Sequence, residues 1–464
     1  MASLTSTCTH EHTATIRIAT EDDIKRLPSA YSYKDKLLNT TMMIYDANLK
    51  KSLERVCDRD PCLPAFSTQF FTSHITRCPV ILKELFKYSR NDPSDDGFLQ
   101  PSEKYLKALL PFIEGIFKEP VQPEDCILTC PKELSEKYRR IALKHLNARE
   151  NLSGINEDIK NSISDSITHW NTNDNDEIDL TRQCGLLASK VISIFLGYPG
   201  PYEEICLAVN VFFEEALNYS SPLSSLYADP QRLERAQNIL EKAITSILSE
   251  ENKTPFVQEL LTDDELTPLQ KKVMIFVLFS SGQETTASLL NYLILKIAMN
   301  PAKQDQIFTD LQDRNHNFSS ANTYIHSKEI QTIFHEAIKE FTPAYAFMRG
   351  VSKDIVIELR NTSGDIEKEY IIKKEEKFHA SPLFAAKEIP NESNSFKMGW
   401  YPFGDGFHKC PGRGFATNNI YTAVAFLISR YKITTNTQLS DIEFTSSSTL
   451  RLAKNVFIKL TDRL

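Results

Sequence analysis

One cysteine lies in a setting that suits thiolate chemistry. Cys410 is part of the stretch Phe403-Gly-Asp-Gly-Phe-His-Lys-Cys-Pro-Gly412, and a helix is predicted to begin directly after it. A cysteine at the N-terminus of a helix faces unpaired N–H groups and the positive end of the helix dipole, and both favour the thiolate. His408 and Lys409 add positive charge beside it. The stretch therefore predicts a reactive thiolate.

Glycine is scarce in the chain and is concentrated around this cysteine. The 464 residues include 14 glycines, whereas average usage of about 7 % would give roughly 32. Four of them lie close together, at Gly404, Gly406, Gly412 and Gly414. Gly406 and Gly412 would let the backbone pass close to a flat, bulky ligand.

Three other interpretations of the cysteine loop stay open at this point. One is a phosphate-binding loop, although the spacing Gly-x-x-x-x-Gly-Lys-Ser/Thr is missing. Another is a Cys–His nucleophile pair, although His408 is only two residues away and a working base more often comes from elsewhere in the fold. The third is a structural turn around a buried, inert cysteine.

A second group of chemically capable residues lies in the middle of a predicted helix over residues 268–299. The sequence there is Ser281-Gly-Gln-Glu-Thr285, and a glycine inside a helix costs about 1 kcal/mol relative to alanine. A hydroxyl beside an acid offers a route for protons. A threonine can also bond back to an earlier carbonyl and open the helix locally. The alternative is that Glu284 is a solvent-facing residue of an amphipathic helix.

A third group follows on another predicted helix. Glu336 and Lys339 stand three residues apart, and Pro343 and Arg349 come after them. By spacing alone, such a Glu–Lys pair is usually a surface ion pair of small energetic value.

Helical periodicity dominates the elements that must position these groups. The predicted helices cover residues 105–117, 136–146, 186–196, 205–217, 230–249, 268–299, 328–341 and about 412–431. β-Branched runs at 355–359 and 369–373 predict a hairpin, and 377–381 is a candidate third strand. The predicted fold class is therefore mainly α with a small β region (α+β), which disfavours a doubly wound nucleotide-binding domain.

Composition narrows the classes of partner and compartment. The net charge is -8, without the basic excess typical of nucleic-acid-binding proteins. The most apolar stretch, 273–283, is far shorter than the ~20 residues needed to cross a bilayer. Nine scattered cysteines favour free thiols in a reducing compartment. We expect a soluble, cytoplasmic protein without a transmembrane segment, with a flexible arm over 1–25 and a single domain over 26–464.

The cysteine loop resembles the haem-binding loop of the cytochrome P450 superfamily, the haem-thiolate monooxygenases. That family's pattern is Phe-x-x-Gly-x-Arg/His-x-Cys-x-Gly, and its slots are filled here by Phe403, Gly406, His408, Cys410 and Gly412. The resemblance implies a cytochrome P450-like fold with a long central helix over haem b. It also implies that Cys410 is the axial ligand of the haem iron and that His408 meets a haem propionate.

The two other groups extend this resemblance. Glu284 and Thr285 occupy the acid and threonine positions of the family's distal helix, which implies catalytic roles in proton delivery. Gly282 in that helix is then expected to be a backbone accommodation facing the haem. Glu336 and Lys339 resemble the family's structural Glu-x-x-Arg pair, with lysine in place of arginine.

Further cationic residues are candidates for the haem propionates. Arg349 resembles a propionate-contacting arginine of the family. Tyr138, Arg139 and Arg140 lie where the family often has Trp-x-x-x-Arg, so either arginine stands in for the family's, or both form a solvated basic face. The family's third partner for the Glu-x-x-Arg pair is not found in 391–400.

The implied activity is insertion of one atom of O2 into a small apolar organic substrate. The sequence has neither a Gly-x-Gly-x-x-Gly fingerprint nor an iron–sulfur cysteine spacing, which implies a separate electron donor, a ferredoxin or flavodoxin with a reductase. Pocket candidates are Ser281, Thr285 and the turn 344–348. The alternatives are a haem-thiolate peroxygenase or isomerase, and a non-catalytic haem-binding protein.

Overall fold

The structure is a computed structural model that describes most of the chain beyond residue 100. The described residues are 13–20, 65–68, 71–76, 81, 99–101, 103–130, 132–146, 153–170, 177–220, 228–249, 253–313, 327–345, 347–351, 353–374, 377–386, 400–406, 409–446 and 449–463. His408 lies outside this set, as does the stretch 391–399.

Helices account for most of the described residues. In chain order they are α1 Glu103–Phe117, α2 Lys132–Leu146, α3 Ser153–Trp170, α4 Leu180–Leu196, α5 Tyr202–Ser220, α6 Pro230–Ser249, α7 Pro255–Thr262, α8 Pro268–Ala298, α9 Pro301–Asp313, α10 Lys328–Glu340, α11 Pro382–Ala385 and α12 Arg413–Arg430.

The strands are short. They are β1 Thr13–Ile18, β2 Ala65–Thr68, β3 Phe71–Thr76, β4 Leu99–Pro101, β5 Ile178–Asp179, β6 Phe347–Val351, β7 Ile355–Arg360, β8 Ile366–Ile372, β9 Lys377–Ala380, β10 Tyr431–Thr434, β11 Phe444–Ser446, β12 Leu450–Leu452 and β13 Phe457–Asp462. The mainly helical architecture with small sheets is the predicted fold class.

The chain divides into two compact units made of alternating segments. The β-rich unit comprises residues 1–105, 339–410 and 444–446, and the helical unit comprises residues 106–338, 411–443 and 447–464. The expected single domain over residues 26–464 stays a prediction.

The core of the helical unit is built around α8. Thr267 caps this helix by accepting a hydrogen bond from the Gln270 N–H, and Pro268 supplies the preset first helical residue. Its 31 residues are buried over most of their length, as expected of a helix with apolar side chains on nearly every face. Its most extensive packing partner is α4.

Gly282 of α8 lies where this helix packs closely against α4. A Cβ at this position would lie 3.0 Å from Cδ1 and 3.1 Å from Cγ1 of Ile192 in α4. The glycine therefore lets two helices of the same unit approach closely. The expectation that it also accommodates the haem stays a prediction.

The β-rich unit contains two sheets of described strands. The antiparallel pair β7 and β8 forms the predicted hairpin, with Gly364 in the left-handed region at φ +89° in its turn. The second sheet has the order β2-β3-β9-β6-β4, in which β3 and β9 are parallel. Strand β6 carries Arg349 opposite Phe378 of β9.

Part of the N-terminal region forms a strand, while the expected flexible arm over residues 1–25 stays a prediction. Residues Thr13–Ile18 form β1, which pairs antiparallel with β7 from Thr13 opposite Arg360 to Ile18 opposite Ile355. The sequence Thr-Ala-Thr-Ile-Arg-Ile is rich in β-branched residues, which favour a strand at a sheet edge.

Helix α8 also bears on the question of a membrane. Among the described residues it is the one helix long and apolar enough to cross a bilayer, and 61 % of its apolar window is buried inside the protein. The core helix of a soluble protein passes the same test, so this helix is weak evidence. The expected absence of a transmembrane segment stays a prediction.

We expect Gly282 and Ile192 to be coupled in stability. In the native background, Gly282→Ala should lower the melting temperature, because crowding against Ile192 costs about 1–3 kcal/mol and exceeds the gain of about 1 kcal/mol in helix propensity. In an Ile192→Ala background the added methyl group occupies vacated space, so the same change should raise it. Thermal unfolding of the four proteins tests this, and the same sign in both backgrounds would contradict it.

Candidate functional site

The cysteine loop of the β-rich unit is closed by backbone hydrogen bonds. The N–H of Cys410 donates to the carbonyl of Phe403 at 2.8 Å, and the N–H of Lys409 donates to the carbonyl of Gly406 at 3.3 Å. Gly404 and Gly406 have φ values of +68° and +74°, in the left-handed region that side chains other than glycine disfavour. These two glycines are therefore required by the path of the loop that presents Cys410.

Cys410 differs from the other cysteines that the structure describes. Cys126, Cys130, Cys184 and Cys206 are buried free thiols, and burial raises the pKa of each of them, to about 11 for Cys126 and Cys206. Cys410 forms no disulfide either, but it is only half-buried. Among the described cysteines it is thus the one placed to reach a ligand as a thiolate.

The residues that follow the cysteine start a helix, as predicted. Gly412 is the N-cap of α12, and its carbonyl accepts the first helical hydrogen bond, from the N–H of Ala416 at 2.8 Å. Arg413 to Asn419 are half-buried, whereas Ile420 to Ile428 are buried in the helical unit. Cys410 therefore directly precedes a helix N-terminus in sequence.

The middle of α8 carries a polar face that its unit leaves uncovered. Ser281 is exposed, and Thr285 and Ser288, four and seven residues further on, are half-buried. The helix is buried on both sides of this segment, over Val273–Ser280 and Leu289–Leu295. We call Ser281, Thr285 and Ser288 the polar face of α8. It offers small hydroxyl side chains where the rest of the helix offers apolar ones.

Thr285 makes the backbone contact that a helical threonine can make. Its hydroxyl donates to the carbonyl of Ser281 at 2.6 Å. Because the hydroxyl proton is engaged in this way, the oxygen presents its lone pairs as acceptors on the polar face of α8.

Glu284 faces the interior of the helical unit, so the alternative of a solvent-facing acid is wrong. Its side chain is 4 % exposed and pairs with Arg451, and Oε1 accepts hydrogen bonds from Arg451 Nε at 2.9 Å and from the Thr449 hydroxyl at 2.8 Å. Arg451 and Thr449 were not found from the sequence. The available signal was the alternation Thr449-Leu450-Arg451, which places two polar side chains on one face of a strand with a buried leucine between them.

The structural pair expected on α10 has separate partners. Glu336 lies 3.8 Å from the ammonium of Lys296, across α8 and α10 of the helical unit. In the β-rich unit, the ammonium of Lys339 lies 5.7 Å from the ring centroid of Trp400. That indole is fully buried and donates to the carbonyl of Pro382 at 3.1 Å. Burial lowers the pKa of Lys339.

The remaining cationic candidates for contact with the haem propionates lie on different elements. Arg140 is mostly exposed and lies 3.6 Å from carboxylate oxygens of Asp263 and Glu265, and its role toward a propionate stays a prediction. Arg139 is half-buried on α2, beside the buried Tyr138. Arg349 lies on β6, opposite Phe378 of β9. The proposed contacts of Arg349 and Arg139 with haem propionates stay predictions.

Cys410 offers the kind of donor that a haem requires from the protein. Within the described part of the chain, no group of three or more His, Cys, Asp or Glu side chains could hold a metal ion. A porphyrin brings its own nitrogen ligands, so one thiolate from the protein suffices. The half-buried Cys410 on its glycine loop meets this requirement.

Comparisons of the sequence point to one family. The family model described as Cytochrome P450 matches residues 376–460, which include the cysteine loop. Cytochrome P450 6B4 of Papilio glaucus is 22 % identical over 218 residues, or 44 % of each chain. Melianol synthase CYP71BQ5 of Melia azedarach is 24 % identical over 293 residues, covering 54 % of this chain and 56 % of that one. The chain thus spans about half the length of the curated relatives it matches.

Comparison of structures gives the fold. The crystal structure of the cytochrome P450DA heme domain superposes with a TM-score of 0.73, covering 92 % of this chain and 95 % of that one at 13 % identity. The mainly helical chain with small sheets therefore has the cytochrome P450 fold. Proteins of this family bind haem b and use O2. The matched cysteine loop, the relatives and the shared fold all make the chain similar to cytochrome P450 proteins.

Proposed function

We propose that this protein is a haem-thiolate monooxygenase that inserts one atom of O2 into a small apolar organic substrate. The observation that carries the proposal is the placement of Cys410, a half-buried cysteine on a loop that requires glycine at two positions. Cys410 is the proposed axial ligand. The haem, when bound, supplies the oxygen-activating chemistry of the family.

The proposal assigns further residues of the β-rich unit to holding the haem. Phe403 and Gly406 belong to the loop that Cys410 closes by its hydrogen bond to the Phe403 carbonyl. His408 and Arg349 are proposed to meet propionates. In the helical unit, Gly412 is proposed to help hold the haem as part of the same sequence pattern. Arg139 is proposed to meet a propionate.

The polar face of α8 is the proposed place of proton handling. Thr285 presents hydroxyl lone pairs there, because its proton is donated to Ser281. The Ser281 carbonyl thus holds the Thr285 hydroxyl at a fixed position on the helix. Glu284, which directly precedes Thr285, is proposed to supply a negative charge next to it.

Electrons are proposed to come from a separate ferredoxin or flavodoxin with its reductase. The exposed Lys409 beside Cys410 supplies positive charge for an acidic donor. The proposed location is the cytoplasm, and none of the five described cysteines forms a disulfide, which is typical of a reducing compartment.

The Lys339–Trp400 contact is proposed to stabilise the chain that leads into the cysteine loop. Trp400 lies ten residues before Cys410, and the lysine is mostly buried over its ring. An ammonium within about 6 Å of an indole centroid is attracted to the ring face.

The ligand assignment predicts a thiolate spectrum that depends on Cys410. The reduced, carbon monoxide-treated holoprotein should show the strongly red-shifted Soret band of thiolate-bound haem. Cys410→Ala should lose the band, while the matched control Cys206→Ala, which removes a buried thiol, should keep it. A band that persists in Cys410→Ala would contradict the assignment.

The role of Thr285 predicts a selective loss of oxygen-driven turnover. Thr285→Val removes the hydroxyl and keeps nearly the same side-chain shape. The amount of product formed per O2 consumed should therefore fall by up to about 100-fold, which is the effect expected when a proton-transfer group is lost. Thr286→Val is the matched control on the same helix and should keep its coupling. Equal losses in both variants would show that only the helix was disturbed.

The buried lysine predicts a pH-dependent difference in stability. The pKa of Lys339 in the folded protein lies below its ordinary value of 10.5, so its burial costs most when it is charged, and this cost disappears as pH rises toward 10.5. The melting temperature of Lys339→Met minus that of the native protein should therefore decrease from neutral to alkaline pH. The exposed Lys328 of the same helix gives the control Lys328→Met, which should show a constant difference.

A further inference from the structure

A buried ion pair ties the acid of α8 to the C-terminal part of the helical unit. Glu284 and Arg451 are 167 residues apart, and they meet because β12 packs against α8. The carboxylate is almost fully buried, whereas the Arg451 side chain is 28 % exposed. A carboxylate buried in this way needs a paired countercharge to stay ionised.

Three donors converge on one oxygen of this carboxylate. Arg451 Nε and the Thr449 hydroxyl lie 2.9 Å and 2.8 Å from Glu284 Oε1, and Arg451 Nη2 also donates to it. Charge-assisted hydrogen bonds of this kind fix both the charge and the orientation of the acceptor. Since the donors come from β12 and the residue before it, the direction of the carboxylate is set by that strand as well as by α8.

The position of Glu284 on α8 connects this contact to the polar face. Glu284 precedes Thr285 directly and lies three residues after Ser281, so its side chain leaves the helix beside the polar face. The Thr285 hydroxyl proton is already donated to the Ser281 carbonyl. The adjacent acid is thus the charged group whose orientation can decide how protons reach this face.

We propose that Arg451 and Thr449 are positioning residues for Glu284. They hold it as a fixed anion beside Thr285, and proton transfer at the polar face of α8 depends on that anion. This inference rests on the proposed monooxygenase function. The guanidinium is the group that matters, because its rigid fork directs two N–H groups to one carboxylate, which the single ammonium of a lysine does not reproduce.

The central experiment compares two oxygen sources in the haem-loaded protein. Oxygen consumption with a ferredoxin–reductase pair requires protons from the protein, whereas guaiacol oxidation by hydrogen peroxide uses oxygen that already carries electrons and protons. Arg451→Met should lower oxygen-driven turnover by about 100-fold, as for loss of a proton-transfer group, and leave peroxide-driven turnover unchanged. Arg451→Lys should restore part of the loss.

A second readout is independent of turnover. In Arg451→Met the buried Glu284 loses the guanidinium of Arg451 and should take up a proton, giving a protonated carboxyl band in the infrared difference spectrum. Arg451→Met combined with Glu284→Gln should lack this band. The matched control is Arg232→Met, which removes the arginine paired with the buried Glu215 and should leave the ratio of the two turnovers unchanged.

The outcomes separate this inference from the function on which it rests. Equal loss of both turnovers in Arg451→Met, loss of neither, or absence of the carboxyl band would overturn the positioning role while the native protein stays active. A native protein without oxygen-driven turnover overturns the proposed function and this inference with it, and that failure appears before any substitution is made.

Discussion

The helical unit depends on the burial of α8, because a 31-residue helix with apolar side chains on nearly every face must be covered by neighbours. Helix α4 covers one side and approaches closely enough that a Cβ at Gly282 would crowd Ile192. What this burial leaves open is the polar face at Ser281, Thr285 and Ser288. Its position is thus defined by packing, since the neighbours cover the helix before and after it.

The same burial makes Glu284 a different kind of acid from one on an amphipathic surface helix. A carboxylate inside a packed unit loses its hydration and requires donors from the protein, and β12 supplies them through Arg451 and Thr449. A buried ion pair contributes little net stability on average, but removal of one partner is costly. The pair therefore specifies where the carboxylate points more than it stabilises the fold.

Local sequence was sufficient for features whose causes are local. The hairpin β7–β8, the capped start of α8 and the cysteine loop follow from residues close together in the chain, and the loop pattern also indicated the family. Helix α3 was missed because serine, asparagine and β-branched residues are weak helix formers. Its isoleucines recur every fourth residue, at Ile159, Ile163 and Ile167, and all three are buried. There the tertiary environment decides the conformation.

The contacts that refine the site are all long-range, and no pattern within one segment encodes them. Glu284 meets a residue 167 positions away, and Gly282 meets an isoleucine from a helix that precedes it by about 90 residues. Lys339 likewise contacts the ring of Trp400, 61 residues further along the chain. A motif identifies which residue types are present at a site, whereas their charge state and direction depend on partners that folding brings to them. The acid of α8 is the clearest case, because the direction of its carboxylate is set by an arginine that no motif contains.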